Sequence, residues 1–258
     1  MIDIKDLLER GRRSDYRIGV GLPDTAAEDV RRHLAREGCR LRVVASNNPH
    51  ELVSSLKSGD ADGAVRGTLS SAKVLEEIRK GFSVKQVMRT AILEDVKGRQ
   101  FMLSPVGIDE GIDRESRLEL VEATLSYFSS LGWSMDVGVL SKGRPEDSGR
   151  SQEIEMSLKD GEWLVNALRR EGKKAEHYSI LIEDAVAESD LVVAPDGVSG
   201  NLIFRSMHFL GGGKAYGAPV VNLGKVFVDT SRAKCDFAES VLLAAGLVQA
   251  AAGGHCDR

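Results

Sequence analysis

The sequence predicts an α/β chain with a parallel or mixed sheet and helices on both faces. Short apolar runs of four to six residues alternate with longer amphipathic segments along the whole chain. Gly, Asn, Asp and Pro punctuate the junctions between them. The densest stretch of that pattern runs from Ser189 to Arg232, where a strand, a Gly-rich turn, a helix and a second strand lead to Thr230-Ser231-Arg232. Loops at the carboxyl ends of adjacent strands, each feeding a helix start, are where open α/β sheets bind anions. The two loops of this stretch are expected to lie side by side.

The first segment, MIDIKDLLERGRRSDYR, reads as a short amphipathic helix followed by a basic turn. Tyr16–Leu22 is the first strand, and Asp24 caps the helix TAAEDVRRHLAREG, which Gly38 ends. Arg40–Ala45 is the next strand. Asn47-Asn48-Pro49 breaks the chain before a short helix over 50–57, and a brief strand inside GDADGAVRG leads to a helix from about Ser70 to Lys80. Val87–Glu94 and Gln100–Pro105 are expected to pair as a hairpin. Arg114–Leu131 is a long helix with Leu118, Val121, Leu125 and Phe128 on one face. Met135–Leu140 is a compact strand, followed by a polar loop to Arg150 and a helix over 152–170. The segment from Ser179 to Ala187 is expected to be helical, Leu191–Ala194 a strand, and Phe237–Ala251 the last helix, with a frayed tail.

Length and composition fit one large domain, a single unit over 1–258 with two lobes and a change of lobe near 85–150. With 258 residues, 42% of them hydrophobic and 29% charged, the chain can build a full core under a soluble surface. A net charge of −4 argues against a nucleic-acid partner. No apolar run is long enough for a membrane helix, and the charged N-terminus does not read as a secretory signal. Three dispersed cysteines, Cys39, Cys235 and Cys256, fit a reduced, cytoplasmic chain. No CxxC, HExxH or clustered His/Cys set is present, so no metal site is expected. The five histidines, His33, His50, His177, His208 and His255, are isolated and read as surface or satisfied side chains.

Two glycine motifs invite a nucleotide reading and fail it. Gly19-Val20-Gly21 has Asp24 where the third glycine belongs, and Gly211-Gly212-Gly213-Lys214 ends a helix rather than opening one. Asp196-Gly197-Val198-Ser199-Gly200-Asn201 is a stronger anion-site pattern, with Ser199, Gly200 and Asn201 beside a helix start. Thr230-Ser231-Arg232 is the second, because a guanidinium grips phosphate or carboxylate through paired hydrogen bonds and a nearby Asp236 can accept a proton. Each also reads as an ordinary capped turn. Arg66 and Thr68, next to the helix start at Ser70-Ser71, form a third possible phosphate contact. Ser141 and Lys142 open a loop of cations that clamps an acidic ligand or is simply solvated.

These segments together resemble the phosphate acetyl/butyryltransferase superfamily, whose fold is of the isocitrate/isopropylmalate dehydrogenase type. The resemblance rests on GDADGAVRGTLSSA (59–72), VGVLSKG (137–143), PDGVSGNLIFRS (195–206) and VDTSRAKCDFAESVLLAAGL (228–247), in that order. The narrower likeness is to the methanogenesis marker proteins of the Mtx subunit X type. It implies a two-lobed, phosphate acyltransferase-like fold with a mostly parallel sheet, and a transferase cleft for phosphate or a coenzyme A-like ligand. It also implies methyltransferase subunits as partners and a homodimer.

Carried over residue by residue, the resemblance gives Ser231 and Arg232 the contacts to thiol and phosphate, and Asp236 the part of base. Asn201 falls on the family's Gly-Asn pair, and Arg205 replaces a lysine. A non-catalytic accessory subunit, an active phosphate acyltransferase and, more weakly, a decarboxylating dehydrogenase are the competing readings.

Overall fold

The computed structural model describes residues 3–234 and 236–253, so Cys235, His255 and Cys256 lie outside the described residues. The described chain divides into two units, each a mixed α/β sheet with helices. Residues 3–87, 130–132 and 216–253 form the outer unit, and 88–129 with 133–215 form the middle unit.

The outer unit begins with helix α1 (Ile4–Arg13), whose Asp3 side chain accepts from the amides of Lys5 and Asp6. Strand β1 (Arg17–Val20), helix α2 (Asp24–Arg36), strand β2 (Arg42–Ala45), helix α3 (Pro49–Ser58), strand β3 (Gly63–Val65) and helix α4 (Ser71–Phe82) follow. The chain returns to this unit at Tyr216, within strand β9 (Lys214–Pro219), and continues with strand β10 (Val226–Asp229) and helix α9 (Ala238–Gly253). The strands run in the order β2-β1-β3-β10-β9, all parallel except β9, which is antiparallel to β10. Leu52, Leu56, Ala64, Val74, Ile78 and Phe227 form a buried cluster where α3 and α4 cover this sheet.

Helix α9 is apolar nearly all round and buries ten of its residues, as a core helix does. It crosses α1 at two glycines. A Cβ on Gly11 would strike the carbonyl oxygen of Leu242, and one on Gly246 would strike that of Leu7. Only hydrogen fits between the two backbones at this crossing.

The middle unit contains strands β4 (Ala91–Glu94) and β5 (Gln100–Ser104), helix α5 (Arg114–Ser130), strand β6 (Val137–Leu140) and helix α6 (Gln152–Arg170). Strand β7 (Ala175–Ser179), helix α7 (Ile182–Glu188), strand β8 (Leu191–Val193) and helix α8 (Gly197–Phe209) complete it. Its order is β4-β5-β8-β6-β7, with β4 antiparallel to β5 and the rest parallel. β4 and β5 are the hairpin the sequence predicts.

Several expectations are corrected. The helix expected over 179–187 forms as α7 but starts at Ile182, because β7 runs through Ser179, which has φ 57°. β7 carries a polar sequence, AEHYS, because it is the last strand in its sheet and three of its five residues are partly or fully exposed. The single strand expected before Thr230 is two, β9 and β10, turned at Asn222-Leu223-Gly224 with Gly224 at φ 64°. The strand expected from Val87 starts at Ala91. Pro23, not Asp24, holds the cap position of α2, and Asp24 lies in its first turn. On α5, Leu118 is only half-buried, and Arg117 takes its expected place on the packed face with Leu120, Val121, Thr124, Leu125 and Phe128.

Candidate functional site

The sequence places its two strongest anion motifs after adjacent strands, and this is not what forms. β8 pairs with β5 and β6, whereas β10 pairs with β3 and β9. The predicted residues therefore divide between the units: Arg66, Thr68, Ser231, Arg232 and Asp236 in the outer one, and Ser141, Ser199, Gly200, Asn201 and Arg205 in the middle one. Two strands, β9 and β10, lie between α8 and Thr230 in the chain, and β10 takes β3 and β9 as its neighbours rather than β8.

In the outer unit the loops after β3 and β10 are tied together at the carboxyl ends of two parallel strands. The Thr230 hydroxyl donates to the carbonyl of Gly67 at 3.2 Å, and the Thr68 amide donates to Gly21 at 2.9 Å. Arg66 is buried, with Nε on the Asp229 carboxylate and Nη1 on the Leu69 carbonyl at 2.6 Å. Its charge fastens the two loops from beneath. Thr68 is exposed above it.

Ser231 accepts from the Ala233 amide at 3.2 Å, forming a small turn that leaves Arg232 exposed. Among the described residues Arg232 makes no hydrogen bond or ion pair. Lys234 turns inward instead, with Nζ on the Ser240 hydroxyl at 2.9 Å, and burial pushes its ammonium down. The Asp236 carboxylate accepts from the Ala238 amide at 2.8 Å, which caps α9, and lies 3.0 Å from His33 Nδ1.

In the middle unit the carboxyl ends of neighbouring β6 and β8 carry Ser141-Lys142 and Pro195-Asp196. The start of α8 is closed by its own chain. Asp196 accepts from the Ser199 amide at 2.7 Å, and the Gly197 amide donates to Glu110 at 3.1 Å. A Cβ at Gly197 would strike the Gly107 carbonyl, and one at Gly200 the Pro105 carbonyl. The two glycines thus let the helix start press against the 105–110 loop rather than stand open to an anion. Asn201 secures the same loop by donating to the Val106 carbonyl at 2.9 Å. Arg205 is exposed and lies over the Phe209 ring at 5.2 Å. Ser141 is buried between the Gly143 carbonyl and His177 Nε2, each at 3.1 Å, so His177 is a satisfied histidine whose imidazolium burial disfavours.

A cleft of about 420 Å³ opens over these strand ends, lined by Lys142, Pro195 and Asp196 and by residues of α5, α6 and the loop before α5. Lys142 Nζ lies 2.8 Å from Asp196 and 2.6 Å from Glu153. Burial pushes the Asp196 carboxyl up, yet the hydrogen bonds from Lys142 and Ser199 outweigh it and hold the group below the usual range. Arg117 lines the same cleft with its side chain 3% exposed. Sequence reasoning missed Arg117. Its signal was a charge at the i−4 position from Val121 on an otherwise apolar helix face. Among the described residues no group of three or more His, Cys, Asp or Glu is gathered to hold a metal, and no helix is long and apolar enough to cross a membrane.

No family model matches the chain. Its fold is similar to that of a phosphotransacetylase from Streptococcus pyogenes, 14% identical with a TM-score of 0.67 over 97% of this chain and 99% of that one. A branched-chain phosphotransacylase from Enterococcus faecalis V583 is 17% identical with a TM-score of 0.66, over 92% of this chain and 99% of that one. In sequence, the chain is 40% identical over 229 residues to a Methanosarcina mazei protein named "Putative methyltransferase mtx subunit X", covering 88% of this chain and 82% of that one. It is 41% identical over 218 residues to the protein of the same name from Methanosarcina acetivorans, covering 84% and 78%. The chain therefore belongs to the mtx subunit X family and carries that family's sequence on a phosphotransacetylase-type fold.

Proposed function

We propose that this protein is a subunit of a methyltransferase system that binds a small phosphate-bearing ligand, inorganic phosphate or a coenzyme A-like molecule, at the loops after β3 and β10. The observation that carries the reading is Arg232. It is an exposed guanidinium without a partner among the described residues, next to the Ser231 hydroxyl and the exposed Thr68, at the carboxyl ends of parallel strands. Arg66 has its charge balanced by Asp229, so Arg232 supplies the free positive charge of this edge.

A binding role in an accessory subunit is favoured over acyl transfer by the position of Asp236. Its carboxylate holds the α9 amide and faces His33, and a base for a thiol would have to give up both. The test is a thermal-shift titration with inorganic phosphate and with coenzyme A. The wild-type midpoint is expected to rise with at least one of them, and the rise is expected to vanish in Arg232→Ala. No rise with either ligand, or an equal rise in the variant, would refute the reading.

A further inference from the structure

The middle-unit cleft contains an electrostatic mismatch that the phosphate site does not explain. Arg117 has Nη2 3.3 Å from Asp160, while its Nε and Nη1 are buried with no hydrogen-bond partner among the described residues. A guanidinium has five N–H donors, and an unmet buried donor carries a desolvation cost. An acceptor is therefore missing beside Arg117.

That acceptor cannot come with a bare negative charge at no electrostatic cost. The cleft is lined by two cations, Arg117 and Lys142, and three carboxylates, Glu153, Asp160 and Asp196. It already carries one surplus negative charge, and both partners of Lys142 are carboxylates from that set. A simple anion would raise the surplus, since like charges disfavour one another at close range. A ligand that brings an acceptor and a cationic group together leaves it unchanged. The rim adds an apolar requirement. Ile112 is 76% exposed and Met156 is 55% exposed, both on the cleft wall.

We propose that this cleft is a binding site for a small zwitterion of the α-amino acid type, with its carboxylate on Arg117, its ammonium held by Asp160 and Asp196, and an apolar side chain against Ile112 and Met156. A volume of about 420 Å³ lies within the range of small-ligand pockets. Two charged ends of opposite sign set the orientation, and the apolar rim selects the side chain.

The test is a thermal-shift panel of the twenty standard α-amino acids on the full chain, with 4-methylpentanoate and 3-methylbutylamine as analogues of leucine lacking one charged end each. An apolar amino acid is expected to raise the melting midpoint, by roughly 5–10 °C at a hundredfold excess over its dissociation constant. Neither analogue is expected to match leucine. Arg117→Met, which replaces the unmet donors by a thioether chain of similar length, is expected to fold with an equal or higher ligand-free midpoint and to lose the shift. Asp160→Asn leaves Arg117 in place and is expected to weaken binding of the amino acid but not of the carboxylate analogue. Arg232→Ala, in the other unit, is expected to keep the amino-acid shift while losing the phosphate response, so the two sites fail separately. A panel without any shift, a shift retained in Arg117→Met, or 4-methylpentanoate binding as well as leucine would overturn the proposal.

Discussion

Glu110 accepts a hydrogen bond from Arg89 Nε at 2.6 Å, with the two side chains 1% and 8% exposed. The same carboxylate accepts from the amides of Gly107 and Val106, at 2.9 and 3.3 Å. One buried ion pair thus shapes the loop against which the start of α8 is pressed.

Burial pushes the Glu110 carboxyl up, against the pull of Arg89 and the two amides. Replacing it is nevertheless expected to destabilise, because Arg89 would lose its buried carboxylate and the Val106 and Gly107 amides their acceptor. Glu110→Ala should cost about 3–5 kcal/mol, measured by urea unfolding. A loss below about 1 kcal/mol would show that the pair is not what holds the loop.

Two arginines at one edge of the outer sheet are expected to behave in opposite ways. Arg66→Ala takes the buried cation away from the Asp229 carboxylate and should cost about 3–5 kcal/mol of stability. Arg232→Ala removes an exposed side chain and should change stability by no more than about 0.5 kcal/mol, while the phosphate response disappears. Denaturation curves of the two variants, measured side by side, check the contrast.

The α1–α9 crossing predicts a steric cost where composition would predict none. Gly246→Ala keeps an apolar helix apolar and raises its helix propensity. A Cβ there meets the Leu7 carbonyl, so the variant should lose about 1–3 kcal/mol and roughly 2–12 °C in Tm. A stabilised variant would mean that the helices do not approach this closely.

His177 predicts a pH dependence whose sign follows from burial. Its folded-state pKa lies below the ordinary value of 6.5, because the imidazolium loses solvation between Ser141 and α6. As pH falls through 6.5 the unfolded chain takes up a proton that the folded chain refuses, so this contribution to stability is present above that pH and is lost below it. Stability of His177→Gln should fall less steeply than wild type between about pH 6.5 and 5, and an NMR titration should place the His177 midpoint under 6.5.

Most elements of the fold were legible because they obey local rules. The α6 boundaries, the β4–β5 hairpin and the apolar α9 follow from periodicity and turn residues alone. β7 was not, since a strand at the margin of its sheet needs no apolar run. At the candidate sites, the sequence by itself determined which chemistry is available: Ser231 and Arg232 after a strand, Asp196 to Asn201 at a helix start, and a family resemblance that joins them. Only the tertiary structure decided which of these groups are open. It turned Asp196 and Asn201 onto their own loops, balanced Arg66 with Asp229, left Arg232 without a partner among the described residues, and buried Arg117 with donors unmet. The reason is that a side chain's type is a local property, whereas its desolvation and many of its partners come from distant parts of the chain, 43 positions away for Arg117 and Asp160 and 163 for Arg66 and Asp229.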